Sequence, residues 1–76
     1  MRHYQNYAKR RNYFKFRCTL VEFTWPDGVS EDELIASTEE WTTGLFTILD
    51  YNYRKNQKAY FANPEDAFRF KMECSQ

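Results

Sequence analysis

Thirteen consecutive residues, Tyr13 to Trp25 (YFKFRCTLVEFTW), constrain the fold more than any other stretch. Phe14, Phe16, Cys18 and Leu20 alternate with Lys15, Arg17, Thr19, Val21 and Phe23, the period-two pattern of a strand with one apolar and one mixed face. Aromatic and β-branched side chains, which suit a pleated surface, supply most of the run. The expectation is a long first strand over 13–25 on which the rest of the chain is arranged.

A chain of 76 residues lies near the size below which one core needs help from metals or disulfides. Seven Phe, six Tyr and two Trp offset this, because each aromatic side chain can remove roughly 150–250 Å² from water. The mean hydropathy of −0.87 reflects charged and amide residues alternating with those aromatics. The chain is amphipathic rather than disordered.

Residues 1–12 (MRHYQNYAKRRN) read as a flexible basic aromatic arm and residues 13–76 as one domain. Trp25-Pro26-Asp27-Gly28 reverses the chain, with Pro presetting one turn dihedral and Gly accepting a positive φ. Ser30 and Glu33 then form a capping box, and Val29 can staple against Leu34. A helix over 31–43 follows, with Leu34, Thr38, Trp41 and Leu45 as its inward stripe, flanked by Ile35 and Thr42, and Gly44 as its stop. Residues 46–53 form a second strand, 54–57 a polar turn and 58–62 a third strand paired to the second. Asn63 caps and Pro64 opens a terminal helix that buries Ala67, Phe68 and Met72, with Phe70 or Lys71 at the margin.

This order predicts an α+β fold, ferredoxin-like β-α-β-β-α with the last strand missing. A right-handed crossover leaves room for the third strand between the first two, giving a three-stranded antiparallel sheet with two helices on one face. No residues remain to make the fourth strand that would pair with the outer edge of strand 1, so the arm, a second copy or a partner strand would cover it. The opposite sheet face would present Lys15, Arg17, Thr19, Val21 and Phe23, with Tyr51 and Tyr53.

Eleven Lys and Arg balance eleven Asp and Glu, which argues against a polycation that coats nucleic acid by charge alone. The charges are segregated, however. Residues 1–19 hold Arg2, Lys9, Arg10, Arg11, Lys15 and Arg17 with no acid, whereas residues 20–53 hold eight acids and no cation. Such asymmetry can bind two different surfaces or let two copies associate head to tail. Asp32, Glu33, Glu39 and Glu40, with Asp27 and Glu31 nearby, could occupy a basic groove on another protein, although first-turn acids also serve the helix dipole. Tyr4, Tyr7, Lys9, Arg10, Arg11, Lys15 and Arg17 have the composition that stacks bases and pairs with phosphates of RNA or single-stranded DNA. The third-strand segment KAYFAN lacks the motif of RNA-recognition domains.

Nothing in the chain assembles catalytic machinery. His3 is the lone histidine, and two glycines make no phosphate loop. Cys18 and Cys74, without CxxC spacing, read as reduced thiols rather than metal ligands. With no long apolar run and no signal core, the expectation is a non-enzymatic, cytoplasmic protein that needs no cofactor or metal and no membrane.

The C-terminal stretch YFANPEDAFRFKMEC resembles a recurrent ending of small accessory proteins from tailed bacteriophages, carried here by Tyr60, Phe61, Glu65, Asp66, Ala67, Phe70 and Lys71. The resemblance implies a phage protein that binds and modulates a host protein in the bacterial cytoplasm. It assigns no functional residues. A virion component or a homodimer through the strand 1 edge are the structural alternatives.

Overall fold

In the computed structural model, residues 2–49 and 57–74 are described. Three strands, β1 (Thr19–Phe23), β2 (Phe46–Leu49) and β3 (Gln57–Phe61), form one sheet in the order β1-β3-β2. Both pairings are antiparallel, with Val21 and Ile48 flanking Ala59 on its two sides. The third strand thus lies between the other two, as the crossover argument requires. Three α-helices complete the α+β fold: α1 (Arg11–Arg17), entered through a 3-10 turn at Tyr7–Arg10, α2 (Glu31–Glu39) and α3 (Pro64–Cys74).

One sheet face carries the main core. Val21, Phe23, Phe46, Ile48, Ala59 and Phe61 join Leu34 of α2 and Ala67, Phe70 and Cys74 of α3. Phe70 sits edge-on to Phe23 at 4.9 Å and against Phe61 at 5.1 Å, separations at which aromatic pairs add to simple burial. Trp25 closes the end of this core, its indole N–H donating to the Val29 carbonyl at 2.7 Å. The turn before α2 forms as expected, with Gly28 at φ 75° and the Glu33 amide donating to Ser30 Oγ at 3.2 Å.

The expected long strand divides in two. Residues Arg11–Arg17 are helical and only Thr19–Phe23 is strand, and the faces are exchanged relative to the alternation. Val21 and Phe23 enter the core while Leu20 is 44% exposed. Of the aromatics read as one apolar strand face, Phe14 is fully buried but Phe16 is 77% exposed. The helical period prevails because Tyr7 and Phe14 stand two turns apart and both rings reach Tyr60, at 5.6 and 6.2 Å. Tyr60 points away from the main core, so α1 covers the sheet face expected to be open. The helices therefore lie on both faces. Lys15 and Arg17 belong to α1 and Thr19, Val21 and Phe23 to the core side, so none forms the expected open sheet face. Tyr51 and Tyr53, and the end of the second strand with its turn over 50–56, lie outside the described residues.

The end of the second helix and the inward stripe of the last also differ from expectation. The second helix ends at Glu39 rather than 43; the Trp41 and Thr42 amides still reach the Thr38 carbonyl, and beyond them Asp66 of α3, 6% exposed, holds the chain. Thr43 and Gly44 donate their N–H groups to Asp66 Oδ2 at 2.9 and 3.2 Å. In α3 the inward stripe is Ala67, Phe70 and Cys74, while Phe68 and Met72, expected inside, are 68% and 63% exposed.

Candidate functional site

The two edges of the sheet are treated differently. Along β2, residues 2–4 run parallel and pair through a single bridge, His3 opposite Phe46: the Phe46 amide donates to the Arg2 carbonyl at 3.0 Å and the Tyr4 amide to the Phe46 carbonyl at 2.8 Å. Thr47 Oγ1 donates to the Tyr4 carbonyl at 2.7 Å. Only the start of the expected basic aromatic arm thus lies along the edge opposite β1; the rest of it forms the 3-10 turn and the first residues of α1. Among the described residues no strand pairs with the outer edge of β1.

Beside that edge runs a groove of about 490 Å³, lined by Thr19, Leu20, Val21 and Glu22 of β1 and by Pro64, Ala67, Phe68 and Lys71 of α3. Among the described residues, three of the four large apolar side chains most exposed to water, Leu20, Phe68 and Met72, belong to these two elements. Phe68 and Met72 share one helical face, four residues apart. Lys71 Nζ donates to the Glu22 carbonyl at 2.7 Å, so one backbone acceptor of the edge is occupied by a side chain. A lysine on an edge is a common guard against uncontrolled pairing.

The acidic helix is divided by the fold. Asp32, Glu33 and Glu40 are exposed on α2 and the residue after it, whereas Glu39 holds the N-terminal segment. Its Oε2 accepts the Arg2 amide at 2.7 Å and the His3 amide at 3.3 Å, and Arg2 Nη2 donates to the Glu39 carbonyl. Those amides, chiefly that of Arg2, hold the Glu39 carboxyl below its ordinary range. His3 Nε2 accepts the Ile48 amide at 3.3 Å. Burial keeps the imidazole below its usual pKa, against the attraction of Glu39. Both residues are structural at this seam.

The basic residues gather on the opposite layer. Lys9, Arg10, Arg11, Lys15 and Arg17 are all exposed, on the 3-10 turn and α1. Arg10 lies over the Tyr13 ring at 4.4 Å and the Tyr4 ring at 5.6 Å. Tyr4 and Tyr7, expected as stacking residues, instead pack on Phe14 at 5.6 and 5.9 Å. Phe16 is the exposed aromatic of this layer, and the strand reading placed it on an apolar face. Its neighbours Lys15 and Arg17 were the signal available: an aromatic between two cations on a short helix points to a surface.

Burial raises the thiol pKa of Cys18, and that of Cys74 to about 11, so both are protonated at neutral pH and poor nucleophiles. Among the described residues no three His, Cys, Asp or Glu side chains are grouped to hold a metal ion, and no helix is long and apolar enough to cross a membrane. Comparison with protein-family models, curated proteins and solved structures finds no significant match.

Proposed function

We propose that this is a non-enzymatic binding module that receives an extended segment of a partner protein along the outer edge of β1. The observation that carries the reading is the contrast between the edges: residues 2–4 cover β2, while β1 stays open beside an apolar groove. Strand addition draws affinity from main-chain hydrogen bonds and specificity from pockets for alternate side chains. Leu20 and Phe68 supply such pockets here, and the incoming strand displaces Lys71 from the Glu22 carbonyl. The antiparallel sheet, its strand order and the β1-α2-β2 crossover support classing the domain as ferredoxin-like without a fourth strand, the vacant position being the one the partner fills. The likeness of the C-terminal segment to small phage proteins supports a bacterial host protein as that partner, met in the cytoplasm. The exposed acids Asp32, Glu33 and Glu40 then serve to steer its approach.

The test compares wild type with Leu20→Lys/Phe68→Ser as bait in nuclease-treated bacterial lysate, followed by hydrogen exchange on the purified complex. Both positions are exposed, so the variant should fold. A single protein retained in stoichiometric amount by wild type, lost with the variant, and protecting the Leu20 and Glu22 amides supports the reading. Equal retention by the variant, or a wild type that sediments as a dimer closed through β1, overturns it.

A further inference from the structure

A second surface, independent of the β1 edge, has its own chemistry. Helix α1 turns Phe14 into the sheet, and at 3.6 residues per turn this places Asn12 and Phe16 along its outer crest. Arg11 and Lys15 flank the crest on one side, with Tyr13 and Arg17 on the other. The burial agrees with that wheel: Phe14 is 0% and Phe16 77% exposed, and all four cations of this stretch, Arg10 included, are exposed. Residues 2–19 contain no acid, and the acids of α2 lie across the sheet. Glu31 and Asp32 border a cleft with Gln5 and Tyr7, at the end of the 3-10 turn away from α1.

We propose that the outer surface of α1 binds single-stranded nucleic acid, one base stacking on Phe16 while Arg10, Arg11, Lys15 and Arg17 pair with the flanking phosphates. Two rows of cations with an aromatic between them match a strand whose bases are splayed and whose backbone lies to either side. A bilayer is a poorer fit, because an interfacial helix needs a broad apolar face and α1 turns its one other Phe inward. A duplex is a poorer fit too, since its bases are unavailable to Phe16.

The experiment is fluorescence anisotropy of the full chain with a labelled oligo-dT 12-mer at 50 and 200 mM NaCl. Single strands lose about 0.7 log units of affinity per log unit of salt for each phosphate contacted. Four cations therefore imply a slope of roughly −2.8 and a loss of about fiftyfold over that fourfold rise in salt. Phe16→Ala should weaken binding roughly five- to hundredfold, the range for one stacked base, and leave the slope unchanged. Arg11→Gln/Lys15→Gln should bring the slope to roughly −1.4 with the aromatic intact. Circular dichroism checks that the variants stay folded, and all three substituted positions are exposed. Failure to bind at 50 mM, equal affinity of Phe16→Ala, equal affinity for duplex, or tighter binding to vesicles of anionic lipid would each overturn the proposal. The Leu20→Lys/Phe68→Ser variant should bind the oligonucleotide no more weakly than wild type, which separates this surface from the β1 groove.

Discussion

Replacing Asp66 by Ala removes the buried carboxylate through which α3 holds the chain leaving α2, beside the Arg69 contact with the Trp41 ring and the Asn63 hydrogen bond to Thr43. Its carboxylate is buried and accepts two backbone amides, from Thr43 at 2.9 Å and Gly44 at 3.2 Å, together with the Thr43 hydroxyl at 3.2 Å. Without it the two amides lose their acceptor. An amide left unsatisfied costs about 1–3 kcal/mol, and because this seam is only partly buried the lower half of that range applies to each. The sum is about 3 kcal/mol, against roughly 4–11 kcal/mol for the whole of a domain this size. At about 4–8 °C per kcal/mol, the melting temperature should fall by roughly 12–24 °C. Asp66→Asn keeps an oxygen for the amides and should lose about half as much. Thermal unfolding followed by circular dichroism reads both. A drop of under about 4 °C for Asp66→Ala would show that water replaces the carboxylate at little cost, and the holding role given to Asp66 at this seam would fail with it.

Phe14→Ala should destabilise the fold by about 3–5 kcal/mol, as for large buried aromatics, and free residues 7–17 to proteolysis ahead of the core; equal cleavage rates would count against α1 as a packed layer. Acidification should loosen residues 2–4. Because burial lowers the His3 pKa, the unfolded segment takes up its proton first and stability is lost as pH falls below 6.5. Glu39, with its pKa lowered from 4.5, adds a further loss at more acidic pH. Protection of the Phe46 and Ile48 amides against hydrogen exchange should therefore decline from pH 7.5 to 5, and constant protection would contradict the seam described. Lys71→Ala should expose the Glu22 carbonyl and promote self-association at high concentration; a variant that sediments as a monomer throughout would remove the guarding role assigned to Lys71.

Local signals with a stereochemical cause were legible in the chain. Ser30 and Glu33, Gly28, and Asn63 ahead of Pro64 each mark a boundary through a hydrogen bond or dihedral that neighbouring residues suffice to make. The order β1-β3-β2 follows from connection rules, and the structure has it. What sequence could not show was set at long range. The period-two pattern of Tyr13–Trp25 competes with a helical one whose partner, Tyr60, is remote in sequence. In α3, Phe68 and Phe70 are equally apolar, and only the position of Phe23 and Phe61 decides which turns inward. Of the residues expected at binding surfaces, Lys9, Arg10, Arg11, Lys15, Arg17, Asp32, Glu33 and Glu40 are exposed, while Tyr4, Tyr7 and Glu39 are engaged within the fold. Composition predicts which residue types meet a ligand but not which copies of them the fold has already used.

The parallel pairing of residues 2–4 with β2 has a consequence for synthesis. Thr47 meets Tyr4 across 43 positions, and the ring that receives Phe14 belongs to Tyr60. During translation residues 2–4 emerge ahead of β2 and wait, unpaired, until that strand has been made. At ribosomal rates of about 5–20 residues per second, that interval is a few seconds, long compared with the microseconds in which a short helix forms. The segment that pairs with β2 is thus made before the strand it pairs with and can dock only after it, so that for those seconds its backbone groups are hydrogen-bonded to water alone.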